Sequence, residues 1–180
     1  MKRILASVLC AALLGAARAD DAPQTSAAPE TPPALQVLPG RLGYAFAQPE
    51  ILLRQRLFGL AHGLSLLAAA CLDLPEHSTP IQNAYAAWHA KQCKAIETIV
   101  HDLAEYYFGP RAAEAQWPDV SRALNLADSI QPALGEITLY AACASLPTAI
   151  VRERYELDRM LTEGIEPAVS PAPTFQKPVE

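Results

Sequence analysis

The chain has 180 residues, with 14 lysines and arginines, 19 aspartates and glutamates and a formal net charge of −5 at pH 7. Nucleic acids and anionic membrane surfaces bind proteins through clustered Lys and Arg, which this sequence lacks, so neither is expected as a partner. The length suits one domain with a substantial hydrophobic core.

The start of the chain has the order of a secretory signal. Lys2 and Arg3 give a positive start, an uncharged apolar run follows, and Ala17-Arg18-Ala19 places small residues where signal peptidase cleaves. The run is shorter than the ~20 residues that a membrane-spanning helix needs. We therefore expect residues 1–19 to be a cleaved signal peptide and the mature protein to be periplasmic or secreted, with no stable membrane span after cleavage.

The composition divides the remaining chain into three parts. Residues 20–43 are rich in proline, alanine and threonine and show no apolar period, which predicts a disordered leader. Residues 165–180 are similar and predict a disordered tail. The helical domain is expected over residues 44–164. At its start, residues 42–48 are expected to form either a short strand or an irregular segment that packs on the domain.

The first predicted helix runs from about Pro49 to Leu74. A proline in the first turn with Glu50 beside it is typical of a helix start. Apolar residues then recur at alternating steps of four and three, which predicts a stripe that packs against neighbouring helices. This leucine stripe consists of Leu53, Leu57, Leu60, Leu64, Leu67, Cys71 and Leu74.

The later helices are marked mainly by their boundaries. Thr79 is expected to cap a second helix that continues to Phe108, where Gly109 ends it. A third helical stretch is predicted over residues 111–126, with a break at Trp117-Pro118. A fourth is predicted from residue 131 or 132 to residue 164, kinked or split at Pro147. The sequence therefore predicts an all-α fold, an antiparallel bundle of about four helices.

Three cysteines follow the predicted cleavage site: Cys71, Cys93 and Cys143. In an up-and-down bundle, Cys71 is expected ~5 Å from the end that holds the first turn, whereas Cys93 and Cys143 are expected ~20 Å and ~18 Å from it. A disulfide requires Cα atoms within ~7 Å of each other. The prediction is therefore a Cys93–Cys143 disulfide with Cys71 as a buried free thiol. A Cys71–Cys143 pair and three free thiols are the alternatives.

A metal-binding pattern occurs on the second predicted helix. His89, Cys93, Glu97 and His101 follow one another at steps of four, and residues four apart share a helix face. Either His89 with Cys93 or Glu97 with His101 is suited to holding a soft or borderline transition metal. The two histidines lie ~18 Å apart along the axis, so one ion would need further ligands from another helix. The alternative is a solvent-exposed flank with one structural cysteine.

An aromatic cluster is predicted at the far end of the second helix. Tyr106, Tyr107 and Phe108 are consecutive, and Trp117 follows closely. Aromatic side chains of this kind line ligand pockets and partner surfaces. The alternative is that they fill the end of the bundle.

Catalytic motifs are not found in the sequence. It contains no nucleophile elbow, no phosphate-binding glycine loop, no haem-attachment cysteine pair and no zincin spacing. The sequence therefore favours a non-catalytic binding or interaction protein over an enzyme, and it predicts no cofactor. The expected partner is an envelope protein or a small ligand. The alternative function is a metal-binding or metal-dependent helical protein that uses the pattern on the second helix.

Overall fold

A computed structural model of the protein describes residues 35–164. These residues form helices and connecting turns and contain no strand, so the all-α prediction is confirmed for them. Within residues 35–164, six α-helices replace the four expected ones: α1 (Pro49–Ala70), α2 (Pro75–Phe108), α3 (Trp117–Ala123), α4 (Gln131–Leu134), α5 (Leu139–Ala149) and α6 (Leu157–Glu163). The predicted signal peptide, most of the predicted leader and the predicted tail lie outside the described residues.

Helices α1 and α2 form an antiparallel pair joined by a short turn at Cys71–Asp73. α2 begins at Pro75, earlier than the predicted cap at Thr79, and Pro80 lies in its second turn. Pro75 takes the first helical position, where its missing N–H has no intrahelical partner to lose. Glycine at position 109, with φ +54°, ends α2 where the sequence predicted.

The core lies between α1, α2 and the later helices. Within the leucine stripe, Leu57, Leu64 and Cys71 are buried, whereas Leu53, Leu60, Leu67 and Leu74 are only partly buried and pack at its edge. Large side chains from the other helices complete the core: Ile81, Ile99, Leu103, Tyr107, Val120, Ile150 and Leu157. The stripe therefore has a buried row and a partly open row.

The predicted third and fourth helices are interrupted. α3 starts at Trp117, where a break was expected, and a capping box between Gln116 and Asp119 stabilises its start. The fourth stretch does not begin at residue 131, where only the single turn α4 forms. α5 begins at Leu139, because the Thr138 hydroxyl accepts a hydrogen bond of 3.2 Å from the backbone N–H of Ala141.

The disulfide joins Cys71 to Cys143, with the two Cα atoms 5.7 Å apart, and Cys93 is a free thiol. The predicted Cys93–Cys143 pairing is therefore wrong. The pairing was wrong because the fourth helix was predicted to begin too early in the sequence. Cys143 lies only one turn into α5, ~6 Å from the beginning of that helix, whereas the prediction placed it ~18 Å from the helix start. This places it beside the end of α1, level with Cys71.

The segment before α1 is irregular and packs on the domain. The backbone N–H of Leu38 donates to Tyr107 O over 2.8 Å, and that of Gly43 donates to Ala123 O over 2.9 Å. Leu35 and Val37 contact the core, so the packed region includes part of the predicted leader. Of the two expectations for residues 42–48, the irregular segment is the one observed.

One described helical stretch, Pro49–Asp73, is long and apolar enough to cross a bilayer by length and composition alone. About 44% of its most apolar window is buried inside the protein. Core helices of water-soluble domains have the same composition, and the buried row of the leucine stripe is consistent with such a role.

Candidate functional site

A groove of the described chain runs along one side of α1. Its α1 wall follows the helical repeat of 3.6 residues, so the residues that form it share one face. They are Gly59, Leu60, Gly63, Leu64 and Leu67. Leu60 and Leu67 belong to the partly open row of the leucine stripe. The groove therefore accounts for the partial exposure of these two leucines.

The opposite wall comes from the region around α4 and from α5. The first contributes Ile130, Ala133, Leu134 and Ile137, and the second contributes Ala142, Ser145, Leu146 and Ala149. The Ser145 hydroxyl donates to Ala142 O over 3.0 Å and so is satisfied within its own helix. The volume of about 390 Å³ lies in the range of small-molecule pockets. We call this cavity the apolar groove.

Arg154 and Tyr155 complete the apolar groove where the chain continues beyond α5. The guanidinium carbon of Arg154 lies 4.9 Å from the centre of the Tyr155 ring, a cation–π contact. Among the described residues, no carboxylate lines the groove, and Arg154 is its one charged lining residue. The groove therefore has aliphatic walls with one cationic side chain and one phenol beside them.

Two glycines keep the α1 wall open. Gly63 has an ordinary helical backbone, and a Cβ built on it would meet no atom within 4 Å, whereas one on Gly59 would lie 3.7 Å from the Tyr44 hydroxyl. Glycine inside a helix is less stable than alanine by ~1 kcal/mol. Since alanine would fit at position 63, neither backbone geometry nor a close neighbour explains the glycine. Its effect is to widen the groove.

A second cavity of about 310 Å³ lies between α1 and α2 and has an aromatic lining that includes Tyr85, Trp88 and Trp117. The Trp117 indole N–H donates to Nδ1 of His62 over 3.1 Å, and Nε2 of His62 lies 2.9 Å from Ala127 O. Burial raises the pKa of the Tyr85 phenol. These contacts hold α3 against α1, so the aromatic residues serve mainly to join helices.

A third cavity of about 230 Å³ contains Trp88, Gln92 and Tyr155 in its lining. Gln92 is buried, and its Oε1 accepts a hydrogen bond of 3.0 Å from the backbone N–H of Asp158. The Trp88 indole N–H donates to Tyr155 O over 2.8 Å. Both bonds hold the chain after α5 against α2. They therefore position the segment that carries Arg154.

The four predicted metal ligands do not meet at one point. His89 lines the aromatic cavity, and Cys93 is partly buried with its thiol 3.4 Å from Ala90 O. His101 instead lies near two acids: Nδ1 is 3.6 Å from an oxygen of Asp102, and Nε2 is 3.7 Å from an oxygen of Glu105. The ligand atoms of these last three residues lie within 4.8 Å of one another. Asp102 already accepts a hydrogen bond from Arg54.

The four predicted aromatic residues do not form one surface: two lie in the core, and the other two pack at separate places. Tyr107 and Phe108 are buried, because the last turn of α2 faces α1 and the segment before it, so they are core residues rather than surface residues. Tyr106 is partly exposed and lies 5.0 Å below the guanidinium of Arg41. Trp117 packs on Phe58 at 4.3 Å between ring centres.

The apolar groove was not predicted from the sequence. Its only local signal is the pair Gly59 and Gly63, four residues apart within an apolar helix that glycine would otherwise weaken. Nothing in the sequence distinguishes Arg154 from the charged residues that surround it between positions 152 and 159. Comparison of the chain with protein-family models, with curated proteins and with solved structures found no match.

Proposed function

We propose that this protein is an exported, non-catalytic binding protein that holds a small apolar ligand in the apolar groove between α1, α4 and α5. The observation that carries the proposal is the groove itself: a volume of about 390 Å³ with aliphatic walls on both sides. A cavity of this kind is what a small-molecule site requires.

The wall residues support a binding role over a packing defect. Leu60 and Leu67 alternate with Leu57, Leu64 and Cys71, the buried members of the same stripe, so the chain has the residues to close this face but leaves it partly open. Gly63 adds to the opening at a position where alanine would make the helix more stable. The glycine at position 63 therefore lowers helix stability where its missing side chain leaves space in the groove.

The chemistry of the groove supports a non-catalytic role. Its ionisable lining residues are Arg154 and Tyr155, and they contact each other through the ring face of the tyrosine. General acid–base catalysis needs a group that loses and regains its proton near neutral pH. Arginine remains protonated, so the pair is suited to binding.

Two features support export. The order of charge, apolar run and Ala17-Arg18-Ala19 is that of a secretory signal. The Cys71–Cys143 disulfide is a bond that persists in oxidising compartments and is rare in the cytosol. Determining the N-terminus of the protein recovered from an envelope fraction tests this part of the proposal. A retained Met1 would contradict it.

A matched pair of variants at Gly63 tests the binding function. Gly63→Ala adds one methyl group and should raise the melting temperature while a neutral apolar dye such as Nile red still binds. Gly63→Leu should fold equally well, because the site is open, but should fill the groove and lower dye affinity at least about ten-fold, ~1.4 kcal/mol. Equal dye binding by both variants would refute the proposed site.

Metal binding on α2 is the second candidate function. The observation in its favour is the approach of the ligand atoms of His101, Asp102 and Glu105 to within 4.8 Å. Calorimetric titration of the protein with Zn²⁺ tests it, with His101→Ala as the variant and His77→Ala as the matched control. Loss of the heat of Zn²⁺ binding in His101→Ala, but not in His77→Ala, would support this function. Equal heats in both variants would exclude it at this site.

A further inference from the structure

The apolar groove carries a formal charge at one place, Arg154. Arg154 is an exposed residue, and its guanidinium carbon lies over the ring of Tyr155, which also lines the groove. A guanidinium held in this way presents planar donors that match the oxygens of a carboxylate or a phosphate. The groove thus combines an aliphatic interior with one cationic group at its border.

The acidic residues on either side of Arg154 are already paired with other cations. Glu153 accepts from Arg159 over 3.1 Å, and Glu156 accepts from Lys91 over 2.7 Å. Among the described residues, Arg154 itself forms no ion pair. Within residues 35–164, the pairing of its neighbours leaves the positive charge of Arg154 without a carboxylate partner beside the groove.

This local charge is opposite to that of the whole chain, whose formal charge is −5. Removal of the predicted signal would take away three basic residues and no acidic one, which would make the charge −8. An acidic protein repels anions in general, so an anion bound here must be recognised locally. Charge complementarity of this kind selects one partner over others more than it adds affinity.

From these observations we infer that the ligand is a single-chain amphiphile whose anionic head group binds Arg154 and whose alkyl chain lies along α1. The inference rests on the binding function proposed above. The α1 wall from Gly59 to Leu67 extends over ~12 Å, which suits one alkyl chain of medium length. The head group, whether carboxylate or phosphate, lies at the border of the groove, where it keeps part of its hydration.

The test uses the full mature chain and three ten-carbon probes below their micellar concentrations: decanoate, decyl phosphate and decan-1-ol. Isothermal titration should show at least one of the two anions binding about five-fold or more tightly than the alcohol, ~1 kcal/mol for a partly exposed ion pair. Arg154→Gln should remove this difference without changing the affinity for the alcohol. Arg152→Gln, which removes an equal charge from an exposed position outside the groove, should leave all three affinities unchanged.

The outcomes separate the inference from the function on which it rests. If the anions and the alcohol bind equally and Gly63→Leu weakens all of them, the groove binds apolar ligands but the anionic class is wrong. If no probe binds, both proposals fail. Binding to phosphatidylglycerol vesicles without binding of either single-chain anion would overturn the inference in favour of a membrane surface. A dimer that Gly63→Leu dissociates, again without probe binding, would identify a second copy as the occupant.

Discussion

Gln55 on α1 donates a hydrogen bond of 2.7 Å from Nε2 to the hydroxyl of Tyr107 on α2, and both side chains are fully buried. The same glutamine accepts from the backbone N–H of Ala45 over 2.8 Å through Oε1. Tyr107 in turn donates to Gly43 O over 2.8 Å. Two buried polar side chains thus attach the segment before α1 to both long helices, and each of these polar atoms has a partner.

Replacing the buried amide should destabilise the protein strongly. Gln55→Leu keeps most of the side-chain volume but leaves the Ala45 N–H without its acceptor, and a buried unpaired group of this kind costs about 1–3 kcal/mol. Urea unfolding of the variant should show a loss in this range. Gln82→Leu, at an exposed position on α2, is the matched control and should change stability by no more than ~0.5 kcal/mol. Similar values for the two variants would contradict the network.

The same network predicts how stability changes at alkaline pH. Burial raises the pKa of the Tyr107 phenol far above its ordinary value of 10.0, whereas an unfolded chain ionises its tyrosines near that value. A raised folded-state pKa contributes stability that is present below pH ~10 and lost as pH rises above it, because only the unfolded state then releases the proton. The free energy of unfolding should therefore fall above pH ~10, and Tyr107→Phe should reduce this fall. A Cys93→Ser background prevents thiol–disulfide exchange during the measurement. An unchanged pH dependence in Tyr107→Phe would refute the assignment.

The third prediction concerns how much the disulfide stabilises the protein. Cys71 and Cys143 enclose a sequence separation of 72 residues, for which the chain-entropy model gives ~4 kcal/mol of stabilisation. Cys71→Ala and Cys143→Ala should each lower stability by several kcal/mol, and the double variant should lose little more than either single one, because the two sulfurs act together. Cys93→Ala should have a small effect. Peptide mapping without reduction should recover the Cys71–Cys143 crosslink, and a crosslink to Cys93 would disprove this pairing.

The sequence predicted those parts of the fold that depend on local signals. The leucine stripe predicted α1, and Gly109 predicted the end of α2. Both signals depend only on residues that are close in the sequence. The start of α5 was missed because Gln131 and Thr138 both stand where a helix is able to begin, and contacts of α5 with α2 and α1 lie far away in the sequence. The wrong cysteine pairing followed from that error. The apolar groove could not be predicted for the same reason: it exists only once α5 has been placed beside α1.

A comparison of two leucines on α1 tests whether the stripe has one buried row and one open row. Leu57 is 1% exposed, whereas Leu60 is partly exposed and lines the apolar groove. Leu57→Ala should cost about 3–5 kcal/mol, because a fully buried leucine leaves a cavity that the core cannot close. Leu60→Ala should cost about 1–2 kcal/mol, since less apolar surface returns to water, and it should enlarge the groove enough to alter its affinity for alkyl ligands. Urea unfolding measures the first quantity and titration with decanoate and decan-1-ol the second. Equal losses of stability in the two variants, with ligand affinities unchanged by Leu60→Ala, would mean that α1 is packed on both rows and that no groove opens beside it in solution.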